Sequence, residues 1–303
     1  MSYQLATKSI KLGILFLVGL FYSCASNSSP KFDGIEAYQY LIAQCQFGPR
    51  NPGSEGHERT RKYLLDKMKQ YTNLVKTQEF VYPDTAQNTK LELTNIIASF
   101  YPKKKQRVLL CAHWDTRPFA DKDPDSSLRE KPILGANDGA SGVALLLQIA
   151  KIISQKEPKW GVDMILFDGE DYGREEELDK FCLGSKYFAK NKGEYKPEFG
   201  IVLDMIGDKD LNIHKEGYST KYAKKVVDLV WGRAQKLKLD CFGDSTQYFI
   251  YDDHIPLLEA GIPCIDLIDY DYPYWHTTQD TPDKCSPESL QKMGKLLVEI
   301  LYH

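Results

Sequence analysis

Short apolar runs alternate with helical patterns along most of this chain, and this alternation limits the folds open to it. Helical spacing predicts helices, and runs of Val, Ile, Leu and Phe between turn residues predict buried strands. The strands are Lys76–Tyr82, Leu91–Tyr101, Arg107–His113, Val162–Phe167, Phe199–Ile206 and Ile262–Ile268, and the helices are Asp33–Cys45, Ser54–Tyr71, Gly142–Gln155, Tyr218–Leu237 and Ser286–Tyr302. This order predicts an α/β domain with a largely parallel sheet, antiparallel at the edge where the early strands follow one another.

Composition and charge narrow the class of protein. The chain has 303 residues, of which 42% are hydrophobic, and it carries a formal net charge of −3. No repeat or long linker divides it, so we expect one globular domain. Its longest basic run, Lys103–Arg107, is too short for a nucleic-acid footprint, and we therefore predict no nucleic-acid partner.

The first 24 residues have the character of an export signal. Lys8 and Lys11 precede an apolar run, Leu12–Tyr22, that is too short to span a bilayer. The small residue before Cys24 resembles the lipobox of bacterial lipoproteins, although a plain cleaved signal is the alternative. We expect residues 1–24 to be the signal and residues 25–303 a single catalytic domain, which is exported to the periplasm or outer membrane and attached through a lipid on Cys24.

Six further cysteines follow Cys24, and none has the spacing of a metal-binding motif. An exported protein can form disulfides, but the sequence does not select a pairing. Cys111 and Cys264 lie within apolar strand patterns, so we predict that both are buried free thiols.

Acidic residues and histidines recur where the predicted strands end. The carboxyl ends of parallel strands meet at one edge of a sheet, where ligands bind in open α/β folds. A Gly-rich loop, "GANDGASG", adds one more carboxylate just before a helix. The residues that we expect to converge are His113, Asp115, Asp138, Asp168, Glu170, Asp171, Asp204 and His276.

This combination predicts a metal site. Crowded carboxylates repel one another, so they must either hold protons or bind a cation. Imidazole and carboxylate ligands without Cys suit Zn²⁺ with a position open for chemistry. Asp115 lies two residues after His113 on a strand, so it can orient that imidazole. Of the adjacent Glu170 and Asp171, one can bind metal while the other acts as a general acid or base.

Five motifs in order resemble those of the zinc-dependent aminopeptidase superfamily, which includes the animal-type glutaminyl cyclases. They are His113-x-Asp115, "GANDGASGVA", "FDGED", "LDMIGD" and "WHTTQDT". The resemblance runs from about Phe47 to the C-terminus. It implies a three-layer sandwich with a central mixed, mostly parallel, twisted sheet flanked by helices.

The two branches of this superfamily imply different metal sites. In the cyclases, which convert an N-terminal Gln to pyroglutamate, one zinc ion is held by the residues that match Asp138, Asp171 and His276. In the aminopeptidases two zinc ions are held, with residues matching His113 and Asp204 added and with Glu170 activating a water molecule. A third alternative is a non-catalytic binding module of the same fold.

Two stretches favour the cyclase. "YDDHIPLLEAGIP" is similar to the Asp-Asp-His-Ile-Pro segment of the animal cyclases, where Asp252 is the first acid, and Trp275 precedes His276 as in their Trp-His-Thr. "TTQDT" is more typical of aminopeptidases, and Asp171 stands where both branches more often have Glu. We therefore predict a glutaminyl-peptide cyclotransferase with one Zn²⁺, with the two-zinc aminopeptidase as the alternative.

The resemblance also implies roles for individual residues. Glu170, Asp204 and Asp252 form the catalytic acid network, and Trp275, Ile268 and Tyr272 bind the substrate, which is a peptide or protein N-terminus. Packing at the surface rim is the alternative for Tyr270, Tyr272 and Tyr274. We expect the polar segment Thr116–Pro132 to fold over the cleft. The sequence leaves the oligomeric state open.

Overall fold

A computed structural model describes residues 29–174 and 176–303. The predicted export signal and Cys24 lie outside these residues. Within the described part, no helix has the length and apolar character needed to cross a bilayer.

A six-stranded mixed sheet forms the centre of the molecule. The strands of the protein are β1 (Val75–Asp84), β2 (Thr89–Phe100), β3 (Arg107–His113), β4 (Gly161–Phe167), β5 (Phe199–Asp204), β6 (Ile213–Lys215), β7 (Phe242–Thr246) and β8 (Cys264–Ile268). The order in the large sheet is β1-β2-β4-β3-β5-β8. The pairs β1/β2 and β2/β4 are antiparallel and the other three are parallel, which confirms the predicted mixed sheet with an antiparallel edge. Strands β6 and β7 form a separate parallel pair.

Helices cover both faces of this sheet. They are α1 (Gly34–Cys45), α2 (Glu55–Tyr71), α3 (Ala140–Gln155), α4 (Leu183–Asn191), α5 (Gly217–Tyr222), α6 (Lys224–Lys236), α7 (His254–Glu259) and α8 (Pro287–Tyr302), with short 3₁₀ turns at Ser126–Leu128, Leu178–Lys180 and Pro282–Lys284. One face packs against α1, α2, α3, α6 and α8, and the other against α4 and α7. Every residue of β4, β5 and β8 is buried because helices cover both of their faces. The three-layer sandwich is confirmed.

Some elements differ from the prediction. The helix expected at Tyr218–Leu237 is two helices, α5 and α6, because Ala223 leaves the helical region at φ −130° and ψ 34°. Helix α7 and strand β6 were not predicted. They have 6 and 3 residues, which is too short for a helical or a strand pattern of apolar residues to be recognised in the sequence. Helix α2 is capped by Ser54, whose side chain accepts a hydrogen bond from His57 N.

The cysteine prediction is confirmed. Cys111 and Cys264 are buried free thiols. The other cysteines of the described residues are free and buried as well, so no disulfide links the elements that these residues form.

Gly142 sets how closely α3 approaches the sheet. A Cβ atom there would lie 2.2 Å from the carbonyl oxygen of Leu203 and 2.9 Å from Cβ of Ala112. We expect Gly142→Ala to lower the free energy of unfolding, measured in urea, by about 1–3 kcal/mol. Gly232→Ala is the matched control because a Cβ there meets nothing within 4 Å, and it should raise stability by up to about 1 kcal/mol. Equal changes in the two variants would contradict this close approach.

Candidate active site

The carboxyl edge of the sheet brings the predicted ligands together. Two groups form there, and they share Asp138, which lies just before α3. The ligand atoms of each group lie within 4.8 Å of one another. One group is His113, Asp138 and Asp204, and the other is Asp138, Asp171 and His276. Both alternatives for the metal site are therefore present in one cleft.

The group around His113 is internally paired. His113 Nε2 lies 3.2 Å from Asp138 Oδ1 and 3.2 Å from Asp204 Oδ1. Burial alone would lower the pKa of His113, but hydrogen bonds to nearby carboxylates, Asp115 first, raise that pKa well above its usual value. The single N–H on Nε2 of a protonated His113 faces both Asp138 Oδ1 and Asp204 Oδ1, and its charge stabilises both carboxylates.

The group around His276 is more open. His276 Nε2 lies 3.4 Å from Asp171 Oδ1 and 3.7 Å from Asp138 Oδ2. Asp171 Oδ1 also accepts a 2.5 Å hydrogen bond from Arg117, whose guanidinium is buried and paired with Asp121. Burial opposes ionisation of Asp171, yet the charges of His276 and Arg117 lower its pKa to about 2. This carboxylate is therefore ionised and ready to bind a cation.

Unpaired buried oxygens show where a metal ion fits. Within the described residues, Asp138 Oδ2 and Asp171 Oδ2 are buried and have no hydrogen-bond partner. Leaving such atoms unpaired is costly unless a cation or water satisfies them. Two carboxylate oxygens beside an imidazole nitrogen are a donor set that Zn²⁺ accepts, with a further position open to substrate. The residues present therefore fit the metal predicted from the sequence.

Two further aspartates hold the loops that carry these ligands. Asp115 accepts hydrogen bonds from the backbone N–H groups of Glu170 (3.0 Å) and Asp171 (3.3 Å). Its Oδ1 also lies 3.6 Å from His113 Nδ1, so its negative charge faces that imidazole. Asp280 likewise supports Asp138, since its carboxylate accepts from the N–H groups of Asn137 and Asp138. The metal ligands are thus fixed by buried carboxylates behind them.

An acid cluster lies beside the metal ligands. Carboxylate oxygens of Glu170 and Asp252 lie within 4.8 Å of each other and of Cys182 Sγ, and Cys182 donates a 3.3 Å hydrogen bond to Glu170 Oε1. Burial, then the charge of Asp252, raises the pKa of Glu170 well above its usual value. Burial, then the charge of Asp204, raises the pKa of Asp252 to about 6. The pair can therefore share a proton near neutral pH.

Aromatic side chains form one wall of the cleft. The Trp275 ring lies 3.9 Å from the His276 ring and 5.3 Å from the Tyr270 ring, measured between centroids. Ile268 and Tyr272 belong to the same apolar cluster. Tyr272 is 3% exposed, so surface packing does not describe it, and its hydroxyl donates to Asp280 Oδ1 at 2.8 Å. Its contact with substrate stays a prediction.

Backbone strain concentrates at this edge. Among the non-glycine residues with positive φ are Cys182 (54°), Met205 (47°) and His276 (55°), which adjoin or belong to the groups above. Such conformations are unfavourable for residues with a Cβ and persist only when the surrounding structure enforces them. The fold therefore holds His276 in its position beside Asp138 and Asp171 against a local preference.

The structure also separates residues that the sequence grouped together. Asp168 points away from the ligands and accepts hydrogen bonds from His57 Nε2, at 2.8 and 3.0 Å, and from Thr94 N.

Residues that the sequence did not predict at the site are Arg117, Asp121, Asp280 and Cys182. The segment Thr116–Pro132 was expected to fold over the cleft, and it brings Arg117 and Asp121 there: Asp121 Oδ1 lies 3.6 Å from His276 Nδ1. Cys182 is twelve residues from Glu170, and no local signal connects them.

Family comparison agrees with this geometry. The model of peptidase family M28 matches residues 95–301, which span strands β3 to β8 and every ligand above. This chain belongs to peptidase family M28. The M28 family is zinc-dependent, which agrees with the metal predicted from the donor set.

Similar proteins place this M28 chain near the glutaminyl cyclases. It is 38% identical to a glutaminyl cyclase of Bacteroides thetaiotaomicron, with a TM-score of 0.88 over 91% of this chain and 99% of that one. A glutaminyl-peptide cyclotransferase of Drosophila melanogaster is 26% identical over 84% of this chain and 75% of its own. A Zn-dependent exopeptidase from Parabacteroides distasonis is 40% identical, with a TM-score of 0.87 over 91% of this chain and 100% of that one. The resemblance inferred from the motifs is confirmed.

Asp115→Asn tests the support behind the metal ligands. Asn has one acceptor oxygen, so its amide NH₂ would face one of the two backbone N–H donors of Glu170 and Asp171. We expect zinc affinity, measured by competition with a chelator, to fall about 10–100-fold.

Asp163→Asn is the matched control for this change. Asp163 is also buried but pairs with Arg107 near the opposite end of β4, so its variant should lose stability and keep its zinc affinity. An equal loss of zinc affinity in both variants would contradict the role given to Asp115.

Proposed function

We propose that this chain is a glutaminyl-peptide cyclotransferase, which converts the N-terminal Gln of peptides and proteins to pyroglutamate and releases ammonia. The observation that carries the proposal is the Glu170–Asp252 acid pair beside the unpaired oxygens of Asp138 and Asp171. Similarity to glutaminyl cyclases over most of the chain supports it.

The contacts that the candidate ligand atoms already make within the protein fit one zinc ion better than two. The unpaired oxygens, Asp138 Oδ2 and Asp171 Oδ2, both belong to the group around His276. In the group around His113, Nε2 already lies 3.2 Å from the facing oxygens of Asp138 and Asp204. We therefore assign Zn²⁺ to Asp138, Asp171 and His276.

The acid pair supplies the proton transfers. Bound zinc would polarise the side-chain carbonyl of the substrate Gln. In the cyclisation the α-amine nitrogen bonds to the side-chain amide carbon, the bond from that carbon to its own nitrogen breaks, and ammonia leaves. Glu170 takes the proton that the amine loses and delivers it to the departing nitrogen. Asp252, with Asp204 beyond it, keeps one carboxyl of the network protonated for this exchange.

The aromatic wall serves a reaction that uses no water. Trp275 presents a flat apolar face next to His276. Packed against the Gln side chain, it would exclude the water that competes with the amine. Ile268 and Tyr272 back this wall from the apolar cluster below it.

Two alternatives use the same fold differently. A two-zinc aminopeptidase would bind the second ion with His113, Asp138 and Asp204, and a similar structure is a Zn-dependent exopeptidase. That use would remove Asp204 from the acid network. A non-catalytic binding module is disfavoured because each predicted ligand is present and in place.

The proposal includes export of the protein from the cytoplasm. The apolar run Leu12–Tyr22 and Cys24 support secretion to the periplasm or outer membrane with attachment through a lipid. The substrates would then be the N-termini of exported peptides and proteins.

Mass spectrometry of model peptides tests the reaction. We expect the zinc-loaded protein to remove ammonia from peptides that begin with Gln and to leave matched peptides that begin with Leu intact. Glu170→Gln should abolish turnover by removing the acid/base while keeping its zinc. Shortened Leu peptides would instead establish the aminopeptidase, and loss of zinc from Glu170→Gln would overturn its assignment.

Metal analysis tests the zinc count. We expect one zinc per chain in the wild type and in Asp204→Asn, because Asp204 is assigned to the acid network. Asp138→Asn is the matched control that should lose zinc, since Asp138 is assigned as a ligand. Two zinc ions in the wild type, falling to one in Asp204→Asn, would refute the one-zinc assignment.

A further inference from the structure

An extended segment, residues 247–251, separates the cleft from a groove on the outer side of the molecule. Its alternate side chains face opposite sides, as in a strand. Tyr248 packs on Tyr270 with ring centroids 4.9 Å apart, and Ile250 joins the apolar cluster below Trp275. Phe249 and Tyr251 face the other way, towards α5 and α7. The segment is therefore a ridge with the cleft on one side.

The groove on the other side is apolar and unusually exposed. It has a volume of about 540 Å³ and is lined by α5, α7 and the turn before β8. Two of the large aromatic side chains that the described residues expose line it, Tyr222 at 59% and Tyr251 at 37%, and Phe249, 65% exposed, lies beside it. Phe249 packs edge-on against Tyr218, and Tyr218 stacks on Tyr222. Exposed aromatic side chains that adjoin one another mark a binding surface more often than isolated ones do.

We propose that this groove binds the residues that follow the N-terminal Gln of a peptide or protein substrate, and that it prefers aromatic and aliphatic side chains there. The inference rests on the proposed function and adds a substrate preference to it. The groove lining is largely aromatic and aliphatic, with Ile255, Leu258 and Pro263 below the tyrosines, so side chains of the same kind would bury the most surface.

The closeness of the ridge to Glu170 selects this occupant. Tyr251 lines the groove, and the next residue, Asp252, has its carboxylate within 4.8 Å of that of Glu170. Neighbouring residues are about 3.8 Å apart, so a substrate whose first residue contacts Glu170 would reach the groove by crossing the ridge at Tyr251. Helix α7 has 6 residues and is about 9 Å long, which matches about three extended peptide residues. The groove would take roughly the third to fifth residues of the substrate.

Charged side chains next to the groove further limit which substrate residues it would bind. Lys186 lies over the Tyr251 ring at 5.3 Å, and Lys221 lies over the Tyr222 ring at 5.0 Å. Glu259 also lines the groove. Two cations against one carboxylate disfavour Lys and Arg in the bound peptide.

Kinetics with three substrates test the proposal. They are a Gln dipeptide, a hexapeptide beginning with Gln that carries Leu and Phe at its third to fifth residues, and a hexapeptide with Ser and Gly at those positions. We expect the wild type to favour the apolar hexapeptide over the polar one by about ten-fold in kcat/KM, as burial of one large side chain allows. Tyr222→Ala and Phe249→Ala should each reduce that preference by about three-fold or more and leave dipeptide turnover unchanged.

Ile35→Ala is the matched control because Ile35 is 66% exposed on α1, and it should keep the full preference. Equal turnover of the two hexapeptides by the wild type, with the dipeptide still cyclised, would overturn the groove assignment alone. Absence of dipeptide cyclisation would overturn the proposed function as well. A wild-type dimer in sedimentation that Tyr222→Ala abolishes, with the hexapeptide preference unchanged, would show that a second copy fills the groove and would also overturn the proposal.

Discussion

Crowding of buried carboxylates at one edge of the sheet is the constraint on which the rest of this structure depends. Negative charges in a water-poor cleft repel one another, and each must be neutralised or hydrogen-bonded. The protein does this in several ways. Asp115 accepts two backbone N–H groups, Arg117 pairs with Asp171, and His113 lies between two acids. Glu170 and Asp252 are both buried close to other carboxylates, which raises the pKa of each and favours a retained proton. Two of the oxygens that remain unpaired, Asp138 Oδ2 and Asp171 Oδ2, belong to residues that could hold a metal ion together with His276.

Each of these solutions also positions a reactive group. The N–H groups that Asp115 binds are those of Glu170 and Asp171, so the residue proposed as the acid/base and one proposed as a metal ligand are placed by the same side chain. The covered faces of the sheet make this possible, since a closely packed core enforces conformations such as positive φ at His276. Stability in the core and chemistry at the edge are therefore linked through the loops that leave the strands.

Much of this was accessible from the sequence because its signals are local and periodic. Apolar runs predicted the strands of the large sheet, and the residues that follow them predicted the ligands. Arg117 and Cys182 were missed because each acts on a residue far away in the chain and neither belongs to a recognisable local pattern. For Tyr272, surface packing was the alternative to substrate binding, and its burial and its hydrogen bond to Asp280 exclude only that alternative. Helix α7, which helps to build the groove, has 6 residues and left no periodic pattern that predicted it, while α5 was predicted only as part of a longer helix.

The sequence by itself determined the α/β class, the family and most of the residues that meet at the carboxyl edge, because periodicity and strand-end position depend on neighbours in the chain. Tertiary structure alone decided which oxygens of Asp138 and Asp171 remain unpaired, and that asymmetry is the basis on which we propose one zinc ion. It also decided that the ridge before Asp252 has an exposed groove behind it. Both depend on distances between atoms that lie far apart in sequence, and such distances exist only once the chain has packed.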